Sequence, residues 1–280
     1  MPYFTTTDDC RLFFVTKGDA PGKAVMVFLN GTAQTAMNWY SLAVRMQDRF
    51  RVIMYDARAQ GRSDPGDRPL SLACHVKDLA DLLDYLNVPT ACLIGVSHGA
   101  HLGLAFAARF PGRVSRMAAC GIGAQFDSVT RIIVRTWRQV LAAGGLDALA
   151  WAMLPWVFGP HFLSANKKML DMIVNAIVKR NCRESLAAHL AALQTYPSPA
   201  AAAMGLSIPA LVISSSEDLL VSRENAEALA RLCSGSHLHF SRAGHSVPME
   251  APEWFETVVT DFFKPALSEA SDAVARTRSF

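Results

Sequence analysis

Continuous apolar runs alternate with helical patterns along the first two-fifths of the chain. Ala24–Leu29 is wholly apolar and ends at Asn30-Gly31, and Ala91–Val96 is a second run of this kind. Such runs predict strands that are buried on both faces. Residues 75–86 and 98–110 instead repeat apolar side chains at helical spacing. Strands that alternate with helices predict a mostly parallel, doubly wound α/β sheet.

The strand pattern disappears at residues 124–204, where apolar side chains follow helical spacing. A strand pattern resumes at residues 209–214, and a helix, a short strand and a closing helix follow at 222–232, 237–240 and 252–263. We therefore predict an α/β core domain made of residues 1–123 and 205–280, interrupted by a helical insertion at 124–204. The small, polar residues 265–280 are expected to be loose.

Composition narrows the class of protein. Hydrophobic residues make up 51% and charged residues 18% of the chain, which favours a large buried core over disorder. No continuous apolar run reaches about 18 residues, so no membrane span is expected. A net charge of +3 is too small to indicate a nucleic-acid partner. The N-terminus has no signal-peptide pattern, and the six scattered cysteines contain no C-x-x-C pair, which favours a cytoplasmic protein.

One serine lies in a motif that suits nucleophilic catalysis. Gly95-Val96-Ser97-His98-Gly99 matches G-x-S-x-G between a predicted strand and a predicted helix. Glycines two residues on either side leave space for a strained turn that exposes the serine hydroxyl above the strand end. An ordinary strand-to-helix turn can have the same composition, so the interpretation depends on partners elsewhere in the chain.

Candidate partners follow two later strands. A serine nucleophile needs a base, and the base needs an anion that orients it. Asp218 comes soon after the strand at 209–214, and His245 comes after the strand at 237–240. All three side chains therefore follow strand carboxyl ends, where the active sites of open α/β sheets collect. Glu217 is the competing candidate for the acid.

With these motifs, the chain resembles the α/β-hydrolase superfamily over nearly its whole length, and in particular serine esterases and lipases with a helical cap after the sixth strand. The segment Asp56-Ala57-Arg58-Ala59-Gln60-Gly61-Arg62-Ser63 is similar to the family's D-x-R-G-x-G-x-S loop, with alanine at the first glycine. The resemblance implies structural roles for Asp56 and Arg58, and it favours Asp218 over Glu217 as the acid.

An oxyanion hole needs two backbone donors. One donor is expected to be the N–H of His98, the residue after the nucleophile. The resemblance implies Thr32 as the other, because Thr32 follows Asn30-Gly31 where the family usually has His-Gly. The donors are backbone groups, so the difference leaves the hole in place but changes the hydrogen bonds that support it.

The resemblance also implies that the insertion covers the nucleophile and sets the substrate. An apolar slot could be lined by Trp137, Met153, Trp156, Phe158, Phe162, Met169 and Met172, although such side chains more often pack against a core. The insertion has a net charge of +4, with Arg131, Arg135 and Arg138 along one helical stripe. That stripe is either a solvated face or a mouth for an anionic substrate, such as a carboxylate, a CoA thioester or an acidic carrier protein.

These observations predict a serine hydrolase that cleaves a carboxylic ester, thioester or lactone with an apolar acyl group through an acyl-enzyme. No metal and no nucleotide cofactor are expected, since glycine-rich nucleotide motifs are absent and His237 and His239 have no carboxylate near them in sequence. The alternatives are an acyltransferase or thioesterase acting on 3-hydroxyacyl carrier-protein or CoA thioesters, a cofactor-free dioxygenase, and a ligand-binding relative without catalysis.

Overall fold

The computed structural model describes residues 2–277, with side chains up to residue 267. Its strands are β1 (Tyr3–Thr5), β2 (Arg11–Lys17), β3 (Ala24–Leu29), β4 (Phe50–Tyr55), β5 (Ala91–Val96), β6 (Val114–Cys120), β7 (Ala210–Ser215) and β8 (Ser236–Phe240). Its helices are α1 (Tyr40–Met46), α2 (Leu72–Tyr85), α3 (His98–Arg109), α4 (Ser128–Val157), α5 (Pro160–Ala165), α6 (Leu170–Arg180), α7 (Arg183–Leu193), α8 (Pro199–Ala203), α9 (Arg223–Leu232), α10 (Val247–Glu250) and α11 (Pro252–Thr277).

The strands form a single sheet in the order β1-β2-β4-β3-β5-β6-β7-β8. The pairs from β4 to β8 are parallel, and β2 pairs antiparallel with both β4 and β1. The predicted mostly parallel sheet is therefore confirmed. The sequence analysis did not predict the antiparallel edge, because β1 and β2 precede the first continuous apolar run.

Helices cover both faces of this sheet, as a doubly wound fold requires. One face packs against α2, α3 and α9 through residues such as Leu79, Leu104 and Leu229. The other face packs against α1 and α11, where Trp39 stacks on Phe28 of β3 at a ring-centroid distance of 4.8 Å. Strands buried on both faces explain the continuous apolar runs in the sequence.

Five helices, α4 to α8, are inserted between β6 and β7, within the predicted insertion at 124–204. Their buried side chains join the hydrophobic cluster on the α2–α3 face of the sheet. A smaller cluster formed by Ala150, Leu154, Phe158 and Val174 lies within the insertion itself. The insertion therefore packs against the core over the carboxyl ends of β5 and β6, while its standing as a separate unit stays a prediction.

By length and composition alone, α4 could cross a membrane, whereas the sequence analysis expected no such segment. That expectation counted only uninterrupted apolar runs, whereas the polar residues of α4 are spread along its 30 positions. The helix is interrupted at Gly145, whose φ of 74° and ψ of −167° are not helical. On either side of the break, Trp137 and Met153 are buried in the main cluster. Packing inside the protein thus accounts for part of these apolar positions, whereas Val129 and Ile132 are exposed.

The expected loose tail is largely helical, which corrects the sequence analysis. Helix α11 continues from Pro252 to Thr277, past Pro265. Phe263 and Ala266 are buried against the sheet, so packing holds the helix together across the proline. Residues 278–280 of the predicted tail lie outside the described part of the chain.

Candidate active site

Ser97 occupies a sharp turn between β5 and α3. Its φ of 52° and ψ of −117° are strained for a residue with a side chain. A Cβ atom at Gly95 would lie 2.5 Å from the Ala100 nitrogen, and one at Gly99 would lie 2.2 Å from the Leu29 oxygen. The turn therefore requires both glycines of the G-x-S-x-G motif, and an ordinary turn would not.

His245 and Asp218 meet at the end of β7. The His245 Nδ1 atom lies 2.9 Å from Asp218 Oδ2 and 3.1 Å from Oδ1. The backbone N–H groups of Leu220 and Val221 donate to Asp218 Oδ1 at 2.8 and 3.1 Å, which holds the carboxylate in place. The competing candidate, Glu217, instead accepts a hydrogen bond from the His161 backbone at 3.3 Å.

The negative charge of the Asp218 carboxylate makes the His245 imidazole more basic. Burial disfavours the imidazolium of His245, but the Asp218 carboxylate and its hydrogen bond outweigh burial, so the pKa of His245 is raised above its ordinary value. The Asp218 side chain is 0% exposed and that of His245 is 6% exposed. A buried, paired imidazole of this kind can accept a proton from a neighbouring hydroxyl.

Ser97 and His245 line one cavity at the carboxyl edge of the sheet. Because Nδ1 of His245 is bonded to Asp218, its other nitrogen, Nε2, is the atom left for the cavity; it is buried and has no hydrogen-bond partner among the described residues. The structure thus brings Ser97, His245 and Asp218 to one place from positions 27 or more residues apart.

The loop that leads to His245 is fixed by a residue that the sequence analysis missed. Oε2 of Glu250 accepts hydrogen bonds from the backbone N–H groups of Gly244 and Gly159, both at 2.9 Å. Glu250 thereby joins the His245 loop to the start of α5. No motif marks this glutamate in the sequence, because its partners are backbone groups.

The two expected oxyanion donors flank the same cavity. His98 is the first residue of α3, so its N–H has no partner within the helix. Thr32 lies in a turn closed by a hydrogen bond from the Gln34 N–H to the Gly31 oxygen at 3.2 Å. Among the described residues, nothing accepts a hydrogen bond from the Thr32 N–H. Both residues line the cavity with Ser97.

The side chain of Gln34 takes over a supporting role in this turn. Its Oε1 accepts a hydrogen bond from the Gly31 N–H at 2.9 Å. Asn30, which replaces the family's usual histidine, donates through Nδ2 to the Tyr55 carbonyl at 2.7 Å. These contacts tie the turn to itself and to β4.

The Asp56–Ser63 loop has structural contacts, as the resemblance implied. The Asp56 carboxylate accepts hydrogen bonds from the backbone N–H groups of Ala36 and Arg62 at 2.6 and 2.8 Å. Arg58 is buried and pairs with Asp78 at 2.6 Å and with Asp8 at 2.7 Å. Ala59, at the position of the usual glycine, adopts a φ of 62° and so keeps the glycine-like backbone.

The candidate pocket residues divide into two groups. Trp137 and Met153 line the Ser97 cavity. Phe158 instead lines a neighbouring cavity and stacks on Phe162 at 4.7 Å. The expectation that Trp156 and Phe162 line the slot is wrong for this structure: neither side chain lines either cavity, and both pack at the edges of the hydrophobic clusters. Met169 and Met172 are exposed.

The neighbouring cavity extends the first. The two share Thr32, Gln34, Met153, Val157 and Ser246. Arg180, at the end of α6, lines the second cavity, and within the described part of the chain it forms no ion pair. A ligand at Ser97 could therefore reach a cationic side chain through a mostly apolar passage.

The arginine stripe on α4 does not line this passage, which favours the solvated face among the two interpretations of the stripe. Arg135 and Arg138 are exposed and line a surface groove with Arg183. Arg131 donates to the carbonyl oxygens of Gln194 and Tyr196 at 2.5 and 3.3 Å. Val134 and Trp137, on the adjoining side of α4, are buried.

Behind the serine turn lies a group of buried histidines that the sequence analysis missed. His75 of α2, His98 of α3 and His189 of α7 each offer a nitrogen within 4.8 Å of the others. Thr32 Oγ1 lies 3.2 Å from His189 Nε2. The three histidines come from distant segments, so no spacing in the sequence could reveal them.

A family model described as the alpha/beta hydrolase fold matches residues 24–252 of the chain. The chain is 25% identical over 261 residues to 3-oxoadipate enol-lactonase 2 of Acinetobacter baylyi, covering 92% of this chain and 95% of the relative. It is 27% identical over 255 residues to a 2-hydroxy-6-oxononadienedioate/2-hydroxy-6-oxononatrienedioate hydrolase of Paraburkholderia xenovorans, covering 86% of this chain and 87% of the relative.

Among solved structures, the enol-lactonase from Burkholderia xenovorans is similar, with a TM-score of 0.86 and 26% identity. The match covers 94% of this chain and 99% of the enol-lactonase. The likeness therefore includes both the sheet and the inserted helices.

Proposed function

Because the chain belongs to the alpha/beta hydrolase family, we propose that it is a serine hydrolase that cleaves a carboxylic ester, thioester or lactone through an acyl-enzyme. The observation that carries this proposal is the meeting of Ser97 with the Asp218–His245 pair at one cavity. Relatives named as an enol-lactonase and as a dienedioate hydrolase support hydrolysis as the reaction class.

In the proposed first step, the Ser97 hydroxyl oxygen attacks the carbonyl carbon of the substrate. Nε2 of His245 accepts the hydroxyl proton, and the Asp218 carboxylate stabilises the imidazolium that forms. The raised pKa of His245 suits this exchange, because the base must hold the proton until the leaving group takes it.

The negative charge that develops on the carbonyl oxygen requires hydrogen-bond donors on the side of the substrate opposite His245. The backbone N–H groups of His98 and Thr32 are proposed to supply them, since neither N–H is bonded to a described residue. One such donor contributes about 3–4 kcal/mol to stabilisation of the transition state. His245 then returns the proton to the leaving group, and a water activated by His245 releases the acyl group from Ser97.

The passage between the two cavities suggests the substrate. Its apolar walls include Met153, Val157 and Trp137, which suit an acyl group of a small molecule. Arg180 at the far end suits a carboxylate carried away from the scissile bond. We also propose a cytoplasmic location, which is supported by the lack of a disulfide bond among the described cysteines.

A fluorophosphonate probe tests the proposed nucleophile. Intact-mass analysis should show about one probe per wild-type chain and none on Ser97→Ala, whose turnover of activated short-chain esters should fall by about 10⁶-fold. Ser246→Ala is the matched control, because Ser246 lines the same cavity and should leave the labelling in place. Labelling or turnover retained by Ser97→Ala would refute the proposal.

The same preparation distinguishes the alternatives. An acyltransferase would pass the acyl group of an acyl-CoA or acyl-carrier protein to a second acceptor instead of releasing free acid. A dioxygenase would consume oxygen with its substrate, and a ligand-binding relative would leave the fluorophosphonate unreacted. For a hydrolase, we expect that protein which reacts with the fluorophosphonate also releases free acid from its substrate.

A further inference from the structure

Three buried imidazoles converge beside the candidate active site. His75, His98 and His189 are 1%, 4% and 0% exposed. Their ring centroids are 5.0 Å apart for His75 and His98, 4.5 Å for His98 and His189, and 6.0 Å for His75 and His189. One donor nitrogen from each ring lies within 4.8 Å of the other two. We call these residues the histidine cluster.

Hydrogen bonds to the protein satisfy this cluster only in part: Nε2 of His189 lies 3.2 Å from Thr32 Oγ1, and Nε2 of His98 lies 3.4 Å from the Tyr196 hydroxyl. Both nitrogens of His75 and the Nδ1 atom of His189 are buried and have no partner among the described residues. Leaving a buried polar group unpaired costs about 1–3 kcal/mol. Several such nitrogens that share one small volume indicate a ligand that pairs them together.

The rings are in the form that binds cations. Burial and the neighbouring imidazoles hold the pKa values of His75 and His98 well below the ordinary value, and burial together with His75 lowers the pKa of His189 to about 3. At neutral pH all three are therefore uncharged and offer lone pairs. The nearby Arg58 guanidinium opposes a cation, but it is already paired with Asp78 and Asp8.

We propose that the histidine cluster is a binding site for a divalent transition-metal ion, with Zn²⁺ as the best fit. Zinc takes three imidazole ligands at about 2.0–2.1 Å in a tetrahedral arrangement, which places the ligand nitrogens about 3.4 Å apart. The three nitrogens lie within 4.8 Å of one another, so binding requires the rings to draw together. A fourth position stays free for a water or a nearby hydroxyl.

The position of the cluster gives the ion a structural role. His75 and His98 belong to the core helices α2 and α3, whereas His189 belongs to α7 of the insertion. His189 also contacts Thr32, the expected oxyanion donor, through the Thr32 hydroxyl. An ion would thus tie the insertion to the core beside the oxyanion turn. His98 borders the Ser97 cavity, which provides a route of entry.

Metal uptake by the full-length, untagged chain tests this inference. Chelator-treated protein carrying Cys182→Ser, which removes the exposed thiol, is titrated with Co²⁺ and then with Zn²⁺. We expect about one Co²⁺ per chain with the visible absorption of a four-coordinate site, displaced by Zn²⁺. Zn²⁺ should also raise the melting temperature.

Single substitutions then locate the ion. His75→Phe should weaken Co²⁺ binding by at least about 100-fold, and so should His189→Gln, which can keep a hydrogen bond to Thr32. His161→Ala, which removes an exposed histidine on α5, should bind as tightly as the parent. Ser97→Ala should also bind normally, because the inference does not depend on the proposed nucleophile.

Two results would overturn the inference. One is a parent protein that takes up no Co²⁺ or Zn²⁺, which would leave three neutral rings packed edge to face. The other is a folded His75→Phe or His189→Gln variant that binds like the parent. Should both variants unfold, histidine-ring NMR of the parent decides, because Zn²⁺ must shift the cluster signals and leave the His161 signal unchanged.

Discussion

Buried histidines lie on two sides of Ser97, and their environments differ. On one side, His245 is 5% exposed and bonded to the Asp218 carboxylate, and its pKa is raised. On the other side, His98 and His101 are each 4% exposed and have no carboxylate partner among the described residues, and their pKa values are lowered. Histidines that are about equally buried therefore have pKa values that change in opposite directions.

The difference indicates that a carboxylate partner sets the direction in which the pKa of a buried histidine changes in this site. Burial alone disfavours an imidazolium, as it does for His101. A buried carboxylate at hydrogen-bond distance reverses the direction for His245. The first side is therefore suited to moving protons, and the second side offers neutral nitrogens.

The strongest way to break this comparison is to remove one histidine from each side. His245→Gln should lower kcat by about 10⁵-fold or more, because among the described histidines of this cavity only His245 is paired with a carboxylate. His101→Gln should lower kcat by at most about tenfold, since its ring lines the cavity without a charged partner. Steady-state kinetics on an activated ester measures both, and similar losses would contradict the division of roles.

A smaller effect is expected from removing the carboxylate charge. Asp218→Asn keeps the side-chain shape and should lower kcat by about 10⁴-fold, because the amide no longer stabilises the imidazolium. Glu217→Gln is the matched control next to it in sequence and should change kcat by less than about twofold, as Glu217 contacts the His161 backbone instead. Equal sensitivity at both positions would mean that the acid is misassigned.

The pH dependence of the free energy of unfolding tests whether His101 is held neutral in the fold. The unfolded chain protonates His101 below about pH 6.5, whereas burial lowers its pKa in the fold to about 4. The unfolded state therefore binds more protons between these values, and stability is lost as the pH falls through this window. Urea unfolding of chelator-treated protein should show that His101→Phe reduces the loss between pH 7 and pH 5 by about 1–2 kcal/mol.

The exposed His161 supplies the control for that experiment. His161→Phe should leave the difference in unfolding free energy between pH 7 and pH 5 as in the parent. A His101→Phe variant with the parent's pH dependence would show that His101 is not held neutral by burial.

The smallest expected effect is a change in KM when Arg180, at the far end of the passage, is replaced. Arg180→Gln should raise KM up to about fivefold for an ester with a remote carboxylate, and should leave KM for an uncharged analogue of the same length unchanged. Arg135→Gln removes an exposed arginine outside the passage and should affect neither substrate. A KM that rises equally for both substrates would argue against recognition of the carboxylate.

Local sequence patterns were sufficient to predict the central strands of the sheet and the turn that contains Ser97. The bounds of β3 and β5 coincide with the continuous apolar runs, because parallel strands are buried on both faces. The glycines around Ser97 indicated a strained turn, and the backbone of Ser97 is strained. The order of Ser97, Asp218 and His245 along the chain placed all three at strand ends that share one edge of the sheet.

Contacts between distant segments could not be predicted in this way. On α4, which is interrupted at Gly145, Trp137 and Met153 reach the cavity while Trp156 packs elsewhere, and helical spacing alone does not distinguish them. The histidine cluster joins positions 75, 98 and 189, which meet only where the His189 ring of α7 contacts the rings of His75 and His98. Arg180 reaches its cavity only because α6 ends there.

Histidine-selective NMR during a pH titration of the metal-free protein tests the central claim most directly. We predict that the His245 ring titrates above about pH 6.5, that the His101 and His98 rings titrate below it, and that Asp218→Asn lowers the value for His245 alone. A His245 ring that titrates together with His98 and His101, or that ignores Asp218→Asn, would contradict the account.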